Sequence, residues 1–230
     1  MRYKLLLTMA AAAGVLLGSC NKSDDTKMGN GSPELNYQIK AINTSGNLQH
    51  KGTAGASIMW TAGYANPKMV KFEAKKDDTK IELTSTADVQ VDLMAPVSVA
   101  FGGFELPAGT YDEIELKILL DRDGSTPAMQ LDGTFTAADG TTYPVSLRVN
   151  QELMIQTEQH DVTFDTGDSF TAITTFDMSD ISGSLTETML LNAHLTNGTI
   201  VISSGSNTLL YYMLLNNFRN KHHHCEFGHH

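Results

Sequence analysis

Residues 222–230 (HHHCEFGHH) bring imidazole and thiol groups together more densely than any other part of the sequence. They hold His222, His223, His224, His229 and His230, five of the 8 histidines, together with Cys225. Imidazole and thiolate are the ligands that Zn²⁺, Cu⁺ and Ni²⁺ favour. The spacings His224-x₄-His229 and Cys225-x₃-His229 suit one ion, and Gly228 would let the chain fold back around it. The chemistry expected of these six side chains is metal binding or delivery with Zn, Cu or Ni. A solvated end, weak affinity without purpose and a cloning remnant are the other readings of the same residues, and the interrupted pattern is unlike a purification tag.

A second thiol lies near the start of the chain. Arg2 and Lys4 form a positive n-region, and residues 5–17 form an apolar run too short to span a bilayer permanently. Leu17-Gly18-Ser19-Cys20 closes that run. Small residues before a cysteine, with leucine three positions upstream, resemble the lipobox of bacterial lipoproteins. The resemblance implies that Cys20 receives a diacylglycerol through its sulfur, that residues 1–19 are removed, and that palmitate-type acylation follows. Three acyl chains anchor stably, because two already suffice. A plain secretory signal with a chance cysteine is the alternative.

Other constellations are weaker. Asp121-Arg122-Asp123-Gly124-Ser125-Thr126 has the alternating oxygens of a calcium loop, but its glycine comes early and the closing Glu is missing. A hairpin turn is expected there. Asp161, Asp165 and Asp168 read as loop residues. His50, His160 and His194 are scattered. Gly-x-Ser-x-Gly, His-Glu-x-x-His and glycine-rich phosphate loops do not occur. One Trp and 7% aromatic content suit a glycosidase cleft poorly. The expectation is a protein that is not an enzyme and has no cofactor beyond a metal at the tail.

With Cys20 acylated, Cys225 is the only other cysteine, so no disulfide within the chain is expected. The formal charge is −10. Such a chain repels nucleic acid and disfavours flat adsorption to anionic lipid. Residues 20–34 form an acylated flexible tether, polar and without apolar periodicity. Its Lys22-Ser23-Asp24-Asp25 looks like the acidic signal that directs lipoproteins of Bacteroidetes to the outer face of the outer membrane; an ordinary polar linker has the same composition.

The elements that must carry these groups show themselves as period-two alternation between residues 58 and 178. Val70, Phe72 and Ala74 alternate with Lys71, Glu73 and Lys75. Ile81 and Leu83, Val89 to Leu93, and Val97 to Phe101 repeat the pattern. Ile114, Leu116, Ile118 and Leu120 form the clearest strand. Leu131 and Phe135 lead to a turn at Ala138-Asp139-Gly140, followed by Tyr143, Val145, Leu147 and Val149. Leu153 with Ile155, Val162 with Phe164, and residues 170–178 complete about eight strands, the pattern of an antiparallel β-sandwich. Leu106-x-x-Gly109-x-Tyr111 matches a tyrosine corner, in which a phenol bonds backbone upstream. Ser184-x-x-Glu187 predicts a capping box and a helix to about residue 195. Residues 199–203 predict a short strand. Ser206 or Asn207 caps a second helix to about residue 218, with Leu210, Met213, Leu214 and Phe218 as its packing stripe.

Taken in order, Trp60, Val91-Asp92-Leu93, Leu106-Pro107-x-Gly109-Thr110-Tyr111 running into Glu113-Ile114-Glu115-Leu116, and Phe176-Asp177-Met178 resemble an uncharacterised family of bacterial lipoproteins. That family is numerous in Bacteroidetes and defined as a domain of unknown function. The likeness covers residues 35–203. It implies a mainly β, immunoglobulin-like or transthyretin-like antiparallel β-sandwich, here with one or two C-terminal helices, displayed from the envelope. No catalytic residue is transferred by it. The resulting organisation is a leader (1–19), a tether (20–34), a sandwich with helical elements (35–218) and a His/Cys-rich tail (219–230). The expected function is binding, adhesion or assembly at the outer membrane, facing the cell surface, with a protein or glycan as ligand and no nucleic acid.

Overall fold

A computed structural model describes residues 31–48, 55–76, 79–98, 100–220 and 224–229. Fifteen strands and three helices follow in chain order. They are β1 (Glu34–Ile42), β2 (Ser45–Asn47), β3 (Ser57–Ala65), β4 (Pro67–Lys76), β5 (Thr79–Thr86), β6 (Val91–Asp92), β7 (Gly103–Glu105) and β8 (Gly109–Leu120). Then come β9 (Met129–Thr136), β10 (Thr142–Val149), β11 (Leu153–Phe164), β12 (Ser169–Asp177), α1 (Met178–Ser182) and α2 (Glu187–Leu191). The chain finishes with β13 (Leu195–Thr196), β14 (Thr199–Ile202), α3 (Thr208–Asn220) and β15 (His224–His229).

The fold is mainly β. Hydrogen bonding joins the strands into three sheets, ordered β15-β12-β1-β7, β13-β14-β10-β9-β3-β2 with β6 on β3, and β11-β8-β4-β5. The first and third sheets interlock through aromatic rings. Phe72 meets Phe104, Tyr111 meets Phe164, and Phe164 meets both Phe170 and Phe227 edge-on. Edge-to-face contacts of this kind satisfy the ring quadrupoles as well as burying area. The strands β3 and β4 are nearly continuous across buried Asn66, where the chain passes from the second sheet to the third. The Asn66 side chain donates to the Pro127 carbonyl at 2.7 Å, and its backbone N–H donates to Ala128. A corner of that kind would otherwise bury unpaired amides.

Alternation reads correctly where one face is wet. In β8, Ile114, Leu116, Ile118 and Leu120 are buried while Glu113 is exposed and Glu115 and Lys117 are part-buried. Several expectations are altered. Leu35, Tyr37 and Ile39 form a fully buried face of β1, which lies before the stretch scanned for alternation. The pairs 153/155 and 162/164 belong to one strand, β11, whose Asp161 takes φ 55°. No regular strand occupies 97–101; Val97 is 76% exposed there. Two pairings are parallel, β1 with β12 and β10 with β14, because each joins segments distant in the chain.

The helical region also departs from its expected shape. The cap of α2 is Thr186, whose hydroxyl accepts from the Met189 N–H, and the helix stops at Leu191. Ser184 accepts instead from the Asn217 amide. Glu187 turns away from its own helix and accepts from the Ala138 N–H at 2.6 Å, fastening α2 to the β9–β10 turn. A further short helix, α1, follows β12 directly, with Asp177 accepting from the N–H groups of Ser179 and Asp180. Asn207 precedes α3, but its amide is spent on the carbonyls of His194 and Val201 and on the His194 N–H.

Candidate functional site

Cys20, His222, His223 and His230 lie outside the described residues, as does His50. Residues 224–229 are not a loose tail: they form β15, an edge strand paired antiparallel to β12 with Thr175 opposite His224 and Phe170 opposite His229. Cys225 is buried on the inner side of that strand, and Phe227 packs beside it against the core. Burial pushes the Cys225 thiol up to about 11, opposed by the nearby hydroxyls of Thr157 and Thr174. A buried protonated thiol is inert and a poor metal ligand. The structure thus separates Cys225 from the outward Glu226 and from the metal-binding set in which the sequence placed it. Among the described residues, no three His, Cys, Asp or Glu side chains are arranged to hold a metal ion.

Asp121 to Thr126 form a hairpin turn. Asp123 and Thr126 exchange backbone hydrogen bonds around Gly124, which takes φ 58°. That geometry needs glycine at the first central position. Asp165 lies in the loop before β12, whose Asp168 carbonyl accepts from the Glu34 N–H. His160 stands on the exposed face of β11 beside Glu158 at 3.0 Å.

Leu106, Gly109 and Tyr111 occupy the crossing into β8. The Tyr111 hydroxyl donates to the Pro107 carbonyl at 2.5 Å, and its ring is fully buried between Phe72 and Phe164. Burial raises the phenol above its usual range. Gly109 takes φ 142°, a conformation that side chains disfavour. Leu106 is wholly buried. This set fixes a corner and offers no group to a substrate.

Two surfaces remain, and both rest on features that a residue-by-residue scan passes over. The first is the outward face of the third sheet. Cross-strand register aligns Glu82, Glu73, Glu115 and Glu158 in one row across β5, β4, β8 and β11. Lysines on either side neutralise the row. Glu73 pairs with Lys71 at 2.7 Å, Lys117 at 2.9 Å and Lys80 at 3.1 Å; Lys117 also reaches Glu115 at 2.6 Å. The hydrogen bonds from Lys71, Lys117 and Lys80 lower the Glu73 carboxyl to about 2. Each charge here already has a partner, which makes this a solvated, self-satisfied face.

The second surface lies between α2 and the first turn of α3. A groove of about 640 Å³ is lined there by Met189, Ala193, Leu209 and Leu210, with Thr188 and Asn192 at its edge. Leu210, Leu214 and Phe218 of α3 are buried against the sandwich, as their spacing predicts. The opposite stripe of the helix exposes Leu209 (67%) and Tyr212 (58%). Nearby Leu191 and Leu195 are also exposed. No acid, base or nucleophile lines this groove, so what it can do is bind.

Compared with protein-family models, with curated proteins and with solved structures, the chain has no match. No helix among the described residues is long and apolar enough to cross a membrane.

Proposed function

We propose that the chain is an envelope lipoprotein, anchored to the outer membrane through Cys20 and facing the cell surface, that works as a non-enzymatic binding or assembly module. The observation that carries this reading is Leu17-Gly18-Ser19-Cys20 behind a short apolar run and a positive n-region. The fold is consistent with it in two ways. Regular structure begins at Glu34, so residues 21–33 can serve as a spacer between lipid and sandwich. The core is built from burial without a disulfide, since Cys225 is a free, buried thiol. The likeness to the Bacteroidetes lipoprotein family belongs to the same proposal, as does the acidic Lys22-Ser23-Asp24-Asp25 address.

Phase separation in a non-ionic detergent tests the anchor. The native product should enter the detergent phase and incorporate labelled palmitate, and Cys20→Ala should leave the protein in the aqueous phase without label. An alanine variant that still partitions into detergent would contradict the proposal.

A second reading, metal capture, is favoured by the density of histidines in residues 222–230. It would rest on imidazoles alone, because Cys225 is withdrawn into the core. Zn²⁺ titration of the full chain decides it. Unchanged affinity after His222, His223, His224, His229 and His230 are all replaced by alanine would end that reading.

A further inference from the structure

Between residues 188 and 218 the chain contains no Asp, Glu, Lys or Arg, although the whole sequence holds 26 acidic and 16 basic residues. The only titratable groups of that stretch besides its tyrosines belong to His194. This is also where exposed apolar side chains gather: Leu191, Leu195, Leu209 and Tyr212 all lie within it. Elsewhere the surface is heavily charged, as on the row of Glu73 and its lysines. Uncharged composition alone would be unremarked in a buried segment. Here it coincides with exposure and with a groove of about 640 Å³, inside the range of ~300–1,000 Å³ typical of binding pockets.

We infer that the groove between α2 and α3 docks a short, uncharged protein segment presenting aliphatic side chains. Three observations choose this occupant. The lining holds no ionisable side chain, so a charged partner would lose its hydration there with nothing to replace it. The floor is Met189, Ala193 and Leu210, aliphatic and adaptable, and Leu209 stands at the rim; it lacks the aromatic platform that a sugar ring needs. The groove is bounded by two helices, which suits a segment inserting apolar anchors at regular spacing.

Position argues against the bilayer as occupant, in a step that rests on the lipid anchor proposed above. Glu34, where the tether enters, is hydrogen-bonded to the β11–β12 loop. The helices lie at the other end: α1 follows Asp177, paired with Ile42 at the far end of β1, and α2 is tied to the β9–β10 turn through Glu187. Nine residues of β1 separate the two ends by about 30 Å at ~3.3 Å per residue. An anchored molecule therefore presents the groove outward, where it meets partner proteins and not its own membrane.

Purified protein panned against a displayed library of random short peptides tests this. Enriched peptides should be rich in Leu, Ile, Val and Phe without an excess of either charge. Leu209→Asp and Tyr212→Ser should each weaken an enriched peptide by about tenfold, roughly the loss of one good anchor. Both side chains are exposed, so the melting temperature should not move. Charged consensus sequences, no enrichment at all, or equal binding by the two variants would overturn the proposal. So would capture of phosphatidylcholine vesicles or neutral dextran through the same residues in preference to peptides. Cys20→Ala protein should bind the same peptides unchanged, so failure of the anchor and failure of the groove are read separately.

Discussion

The phenol of Tyr111 closes a hydrogen bond to the Pro107 carbonyl at the point where the chain enters its central strand. Tyr111→Phe keeps the ring and leaves that carbonyl without its partner. A net loss of about 1 kcal/mol is expected, measured as a lower urea midpoint with an unchanged slope. No change in midpoint would mean that the bond does not hold the corner. Glu73 acts differently, through charge. Its carboxyl titrates lower in the folded state, at about 2, than in an unfolded chain, chiefly because Lys71, Lys117 and Lys80 bond it. Its stabilisation is therefore complete above the ordinary carboxylate range of ~4.3 and is lost as pH falls from there through about 2. Glu73→Gln should cost roughly 1 kcal/mol at neutral pH and almost nothing near pH 2, the size expected of a surface network. Equal losses at both pH values would show that packing, not charge, is what Glu73 contributes. The corner was legible in the sequence because Leu-x-x-Gly-x-Tyr is local. The burial of Cys225 was not, because the strand it pairs with lies about fifty residues earlier, and only that pairing turns the thiol inward.

At the scale of elements, the β8 alternation was readable because one face is wet, whereas β12 is buried along most of its length and carries no such contrast. The capping box at Ser184 and Glu187 had the right spacing, yet tertiary partners claimed both side chains: Asn217 took Ser184 and the Ala138 amide took Glu187. A local motif lost to a distant donor. Glu187 is 9% exposed, and this bond satisfies a backbone N–H in the β9–β10 turn. Glu187→Ala should therefore loosen two elements together. Hydrogen exchange at Ala138 and along α2 should speed up in the variant, with the β8 amides unaffected. Faster exchange confined to α2 would mean that the turn is held by other bonds. Helix α3 shows the same limit from the opposite direction. Its inner stripe followed from spacing, while the outer Leu209 and Tyr212 acquired meaning only once the sandwich had fixed which stripe faces water.

For the whole molecule, the charges and the apolar groove occupy different regions. The third sheet carries a self-neutralised lattice of Glu and Lys, and the helical end carries none of the four charged residue types over residues 188–218. The sandwich class was readable from strand spacing and turn residues. Its division into three hydrogen-bonded sheets, with parallel pairings of β1 with β12 and β10 with β14, was not, since pairing between remote strands leaves no periodic trace. The account as a whole stands on the fate of one thiol near the N-terminus. The intact mass of protein isolated from native membranes measures that fate directly. The account predicts a product that starts at Cys20 and is heavier than its polypeptide by a diacylglyceryl group plus an amide-linked acyl chain. A product whose mass equals the bare polypeptide, or whose first residue is any other, would contradict it.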